Sequence, residues 1–551
     1  MPLLLSPLPL ADLLHSSPRH MNKDCRPKLF DGWPRLWLAA LILCVPLRGF
    51  GAGVTIITHG HLSSIDDWVH AMALAIPNYP SFPGTNSSRY AVFVQDAGSS
   101  YTVTPTRLSG GLPIDIDSGE ILVELDWSDI ANALFSDSTV NIAAAVVPRL
   151  LQTNFIAELR GRALVEFPLH LIGHSRGGSL VCEMSRLLGQ QGVWVDQVTT
   201  LDPHPVNNDG FFDPLMLGVV DATAQTYDNV LFADNNYETL NTYPYGEPVP
   251  GAYVRYLTSL NGGYSSAHSD AHLWYHGTLV WTTPVSDSEA SITSTERQDW
   301  WTPYEQGGTN AGFLYSRIGG SDRLSLDRPA GLGTPPIRDG YNQRWDLGAG
   351  SLPNRTALTV NNGAWPNVIK LNLTGTNRLA DNEATSVRFY YQYGQVSSSN
   401  LTLDVCLDLD GNPWNTNHWL VRRISLSPTG TNFVFNPTVD FTVAPTNAPP
   451  GVYVICARLS DGPRTRYLYA PESLTILTPE GPIRLEIARD ADGLIRVDVL
   501  GVPGQSFILQ GSIDLQSWQP LTQHTLGTGR WSYFVNPTNI DWRFYRTMLD
   551  R

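Results

Sequence analysis

Between Val54 and Ile318, short apolar runs of strand length alternate with stretches whose apolar residues recur every three or four positions. That alternation restricts the fold more than any other feature, because strands joined through helices cross over and lie parallel in one sheet. "VTIITHG" reads as a strand, and Ile65, Trp68, Val69 and Met72 then repeat at helical spacing. "RYAVFVQD" and "GEILVELDW" are further strands, and a helix is expected from about Val140 to Leu159. "PLHLIGH" precedes a helix carrying Leu180, Val181, Met184, Leu187 and Leu188. "WVDQVTTLD" and "NVLFAD" follow, before a last helix near "HLWYHGTLVW". The expected architecture over 53–325 is therefore α/β, a mostly parallel sheet with helices on both faces.

After about Leu326 the helical period disappears. Asn, Thr, Pro and Gly now punctuate alternating runs such as "SVRFYYQYG", "LTLDVCLDLD" and "GVYVICARLS", the pattern of a β-sandwich over 326–478. "TPEGP" is a hinge, and 483–551 reads as a small all-β module built from "IRVDVLG", "SFILQGS", "RWSYFVN" and "WRFYRTM". Several domains suit a chain of 551 residues, which is too long for one hydrophobic core. With 42% hydrophobic and 16% charged residues, each can bury apolar side chains. A net charge of -15 without a basic run repels polyanions, so nucleic acid is not an expected partner.

The first 52 residues have the plan of an export signal. Lys23, Arg26, Lys28 and Arg35 precede the apolar run "LWLAALILCVPL", and small residues follow in "GFGAG". Either Met1 or Met21 serves as a start for such a signal, and a secreted or cell-surface location is expected. Two of the five cysteines fall in this region. Cys182 reads as a buried helix residue, while Cys406 and Cys456 lie in strand-like runs and suit either a disulfide or two buried thiols.

"HLIGHSRGGSL" contains the only G-x-S-x-G of the chain, Gly173 to Gly177. A strand enters it and an amphipathic helix leaves it, as a nucleophile elbow requires. Glycines flank Ser175 because side chains there would collide across the tight turn, and the amide of Arg176 opens the helix toward an anion. A hydroxyl needs a base to take its proton, and the base needs an acid to hold its tautomer. Asp202, after the next strand, and Asp234, one strand further on, both suit the acid. Between Asp234 and the β-rich region the histidines are His268, His272 and His276, in "AHSDAHLWYHGT". His268 is expected in a loop before the helix and ranks first as base; His272 ranks second, and His276 suits a packing role. The strand break at Gly60 lets the amide of His61 join that of Arg176 as an oxyanion donor.

"THGHLSSIDDW", "VELDWSD", "HLIGHSRGG" and "VTTLDPHP", in that order, resemble the α/β-hydrolases, and specifically the pancreatic-type lipases. The resemblance covers roughly Val54 to Gly277. It implies an α/β-hydrolase sheet, Ser175 as nucleophile, Asp202 as acid, His61 and Arg176 as oxyanion donors, and His268 as base. Arg176 stands where those lipases usually carry an apolar residue, and the sequence has no cysteine-bounded lid. What is implied is a carboxylic ester hydrolase, with a small ester, a lipid or a polymer as substrate class and no cofactor.

Two other readings compete. His59 with His61, and His268, His272 and His276 one turn apart, suit a metal-dependent hydrolase, although the H-x-H lacks a D-H continuation. The large β-rich share, with 16 Trp and 22 Tyr, suits a catalytically inactive surface-binding protein, or attachment of an enzyme to polysaccharide or cells through its C-terminal modules. In "DLDGN", Asp408, Asp410 and Asn412 alternate as calcium ligands do, and as hairpin turns do.

Overall fold

The computed structural model describes residues 52–319, 355–477 and 481–550, with gaps at 134–135, 211, 215, 241–243, 281–284, 288, 302–310, 361–364, 381–382, 395–400, 428–438, 491–492, 536–541 and 543. Residues 1–51, which hold the expected export signal, the boundary at 325/326 and most of the "TPEGP" hinge lie outside the described residues.

In chain order the first elements are β1 (Val54–Thr58), α1 (His70–Ala75), β2 (Ser88–Asp96), β3 (Tyr101–Gly110), β4 (Ile121–Asp126), α2 (Ser128–Ala131), α3 (Thr139–Leu150), β5 (Leu169–His174), α4 (Arg176–Gln190), β6 (Val195–Leu201), β7 (Val230–Tyr237), β8 (Tyr253–Tyr256) and α5 (Ala267–Leu279). Their eight strands make one mixed sheet in the order β3-β2-β4-β1-β5-β6-β7-β8. Every neighbour pair is parallel except β2 with β3. Alternation along the strands sends side chains to two cores. Val54 and Ile56 of β1 and Leu171 of β5 join Ile142 and Val146 of α3 and Val181 and Met184 of α4. Ile57 and Ile172 point the other way, toward Met72 of α1 and Leu273 and Trp274 of α5. After β1 the chain moves to one side for β2 to β4 and returns to the other side for β5. Carboxyl ends of β1 and β5 therefore flank the crevice where such a sheet changes direction.

Several expectations change. The helix expected from Val140 to Leu159 ends at Leu150, two residues after Pro148, and only a short 3-10 turn, Ala157–Leu159, follows. Proline removes a helical donor and crowds the turn before it, which brings the helix to an early end. Edge strands β3 and β8 are additional to those expected. So is α6 (Ser294–Trp301), which follows a ribbon of β9 (Val285–Ser286) and β10 (Ser291–Ile292).

Among the described residues beyond 355, all regular structure is β. The strands are β11 (Asn367–Leu373), β12 (Arg378–Leu379), β13 (Thr385–Gln392), β14 (Leu401–Asp408), β15 (His418–Leu426), β16 (Val439–Val443), β17 (Gly451–Ser460) and β18 (Thr465–Ile476). Sheets β11-β13-β16 and β12-β18-β17-β14-β15 enclose a core of Val387, Phe389, Leu403, Val405, Ile455 and Leu459. Last come β19 (Arg484–Arg489), β20 (Ile495–Leu500), β21 (Ser506–Ser512), β22 (Gln519–Thr525), β23 (Arg530–Val535) and β24 (Phe544–Leu549). They form two three-stranded sheets around Val497, Val499, Phe507 and Leu509.

The eight-stranded sheet and the β11–β18 body share a packed, hydrogen-bonded interface. Trp194 donates Nε1–H to Gln392 Oε1 at 3.1 Å, Asn367 donates to Gly192 O at 2.8 Å, and Arg466 donates to Trp194 O at 3.0 Å. Trp414, Tyr467 and Tyr469 enter the same apolar cluster as α3 and α4. "DLDGN" belongs to this interface. Asn412 turns its amide away to donate to Pro113 O and Ile116 O at 2.6 and 2.7 Å. Asp408 accepts from the amides of Asp410 and Gly411 and from Tyr469, and Asp410 accepts from Asn415 and Asn417. These are the side-chain-to-backbone hydrogen bonds of an Asp- and Asn-rich turn.

Candidate active site

Ser175 is the single residue between β5 and α4, and it adopts φ 55 and ψ -125. A side chain in that region costs about 1–3 kcal/mol and persists only where its surroundings enforce it. Close packing supplies the enforcement. A Cβ on Gly173 would lie 2.0 Å from Gly177 O, and one on Gly177 would lie 2.5 Å from His59 O. Only glycine lets the start of α4 approach both strand ends. The Ser175 amide donates to Leu201 O at 3.0 Å, and Ser175 O accepts from the amide of His204 at 3.2 Å, tying the corner to the end of β6. The residue is 7% exposed.

Asp202 follows β6 and is fully buried, with φ 45. Its Oδ2 lies 2.5 Å from His268 Nδ1, and its Oδ1 accepts from the Glu238 amide at 2.7 Å. A Cβ on Gly246 would come within 2.2 Å of the same Oδ1, so this loop closes over the carboxylate. Burial pushes the Asp202 carboxyl up, against the hydrogen bonds from the Glu238 and Gly246 amides. Burial also pushes the His268 imidazole well below its ordinary value. A neutral ring whose Nδ1–H is held by a carboxylate keeps Nε2 as an acceptor.

His268 is not in a loop before the helix, as its polar surroundings suggest, but is the second residue of α5. The first turn of α5 is polar and precedes the apolar residues that mark the helix. Ser266 occupies the N-cap position, a start signal that places the helix earlier. His174, beside Ser175, donates Nε2–H to His268 O at 2.7 Å, and the two rings lie 4.6 Å apart. That hydrogen bond draws the start of α5 to the end of β5. Among the described residues no hydrogen bond joins Ser175 Oγ to His268.

Gly60 faces the serine closely, since a Cβ there would sit 2.7 Å from Ser175 Cβ and 3.1 Å from Oγ. The next amide, His61 N–H, donates to no backbone acceptor among the described residues, and its ring is anchored by Nδ1–H to Ala131 O at 2.6 Å. The Arg176 amide opens α4 and has no acceptor within the helix. Its guanidinium is turned elsewhere. It pairs with both oxygens of Asp221 at 2.7 and 2.8 Å, donates to Ser136 and to Asp137 O, and lies over Trp127. Arg176 thus clamps α4 to the segments 136–139 and 206–221, a role invisible in the sequence because Asp221 is remote from it.

The alternative residues have other partners. Asp234 accepts from Thr199 at 2.7 Å and Gln197 at 2.9 Å within the sheet and makes no contact with His268; burial raises its carboxyl to about 6. His272 stacks on Trp68 at 4.5 Å, and His276 is buried in the same helix. His59 contacts Asp126 at 3.2 Å and accepts from the Trp127 amide. Among the described residues no three His, Cys, Asp or Glu side chains gather around one point that could hold a metal ion.

One neighbour escapes sequence reasoning. His204 pairs with Asp209 at 2.6 Å, and its ring is 6.2 Å from that of His268. The histidine of "LDPHP" is the signal that could have found it. A polar cavity of about 940 Å³ opens beside α2 and α3, lined by Asp96, Tyr101, Asp129, Asp137 and Gln152. Ser175, Asp202 and His268 are not among its lining residues.

No protein-family model matches the chain, and no curated protein matches it. Solved structures align over short stretches. A superoxide reductase (neelaredoxin) from Ignicoccus hospitalis is 13% identical over 20% of this chain and 81% of its own, with a TM-score of 0.14. The CARDB domain of the PF1109 protein from Pyrococcus furiosus is 14% identical over 22% of this chain and 95% of its own, with a TM-score of 0.13. Likeness this slight carries no argument about fold or function.

Proposed function

We propose that the chain is a secreted serine ester hydrolase of the α/β-hydrolase type, similar in its catalytic region to pancreatic-type lipases. The observation that carries this reading is the buried Asp202–His268 pair, whose helix His174 ties to the end of β5, next to a serine in a strained strand-to-helix corner. A mostly parallel sheet that changes direction between β1 and β5 is the setting such a corner requires. In the proposed reaction, Ser175 Oγ attacks the ester carbonyl while His268 Nε2 takes its proton, a contact completed as substrate binds. The amides of His61 and Arg176 receive the developing oxyanion, a contribution of about 3–4 kcal/mol for each donor. His268 returns the proton to the departing alcohol, then activates the water that releases the acid from Ser175.

Substrates are carboxylic esters, with lipids and polymers included in the class, and the C-terminal β modules suit attachment to polysaccharide or a cell surface. Turnover of a short-chain chromogenic ester by the full chain and by Ser175→Ala tests the proposal. Loss of turnover in a variant with unchanged circular dichroism is expected. Near-normal turnover would end it.

A further inference from the structure

The central strands of the five-stranded sheet, β14 and β17, run antiparallel with Cys406 directly opposite Cys456. Opposed residues in such a pair share one face and have Cα atoms about 4.5–5.5 Å apart. A disulfide needs about 4.4–6.8 Å, so the register alone satisfies its reach. Neighbouring residues fix which face this is. Val405, Leu407, Ile455 and Ala457 point into the sandwich core, whereas Cys406 and Cys456 point outward with Tyr469 into the cluster shared with α3 and α4. Each cysteine also adjoins a register shift on its other side, at Val405/Cys406 against β15 and at Val454/Cys456 against β18. Such irregularities add local twist, the freedom a cross-strand bond requires.

We infer that Cys406 and Cys456 are a redox pair that closes into a cross-strand disulfide while the sandwich folds, before its outer face is covered. Both thiols are free in this structure and only 6% and 4% exposed. Burial pushes both thiols up, Cys406 to about 11, so thiolate is scarce once the interface has formed and the bond, once made, is shielded from reductant. With a small-molecule disulfide such as oxidised glutathione as oxidant, the Cys406 thiolate attacks one of its sulfurs and expels a thiolate. The Cys456 thiolate then displaces the second glutathione. Two protons and two electrons leave the protein, and one oxidised glutathione becomes two reduced. Cys182, buried in α4, is a free thiol and stays one.

The test refolds the reduced full chain in a glutathione redox buffer, blocks remaining thiols with iodoacetamide during unfolding without reductant, and maps the peptides by mass. Expected are a linked Cys406–Cys456 peptide lighter by two hydrogens, loss of alkylation at both positions, and an alkylated Cys182. Alkylation of both Cys406 and Cys456 in protein that has regained its circular dichroism overturns the inference, as does pairing of either with another cysteine. Should refolding fail, the same map on full chain expressed with export to an oxidising compartment reads the same outcomes. Cys406→Ser separates the bond from the fold, because it must leave Cys456 fully alkylated.

Discussion

At Ser175, Asp202 and His268, chemistry is decided by backbone placement as much as by side-chain type. Asp202→Asn keeps the shape but removes the charge that holds the His268 tautomer, so kcat is expected to fall about 10⁴-fold. Asp234→Asn, which alters a carboxylate engaged with Thr199, Gln197 and Asn236 rather than with His268, should leave kcat within about tenfold. Equal losses in the two variants would contradict the assignment. The pH profile follows from burial. His268 must be neutral to accept a proton, and its lowered pKa keeps it neutral below the ordinary value of about 6.5. Activity should therefore persist through mildly acid pH and fall only below that value. A half-loss of kcat/KM at or above about pH 6.5 would contradict this.

Elements show where sequence reasoning succeeds and where it stops. The turn from β5 into α4 was legible because tight geometry leaves few residue choices, and Gly173, Ser175 and Gly177 are those choices. Edge strand β3, "YTVTPTRLSG", was not, because it exposes most of its residues and carries Pro105, which an edge position tolerates. His268 reads as a loop residue for a similar reason, since the polar first turn of α5 hides the helix start. Arg176 reads as an anomaly until Asp221 is seen against it. Arg176→Met would leave that carboxylate buried without its cation, at a cost of about 3–5 kcal/mol in urea unfolding. An unchanged urea midpoint would show that the clamp contributes nothing.

Across the whole molecule, the loss of helical period in the sequence after about Leu326 agrees with the strands described beyond residue 355, but does not tell that the β11–β18 body packs tightly against the large sheet. Contacts such as Trp194 to Gln392 join residues far apart in sequence, and composition holds no trace of them. Trp194→Ala is expected to lower stability by about 3–5 kcal/mol, moving the urea midpoint of the full chain downward. A shift smaller than about 1 kcal/mol would mean the two bodies stand apart in solution.

The nucleophile assignment is tested most directly by covalent capture. The full chain is treated with a fluorophosphonate, digested, and the modified residue located by mass spectrometry. A single phosphonylated site at Ser175, absent in Ser175→Ala and formed far more slowly in Asp202→Asn, is the predicted result. Ester hydrolysis that continues with Ser175 unmodified, or an adduct at a different serine that abolishes activity, would contradict it.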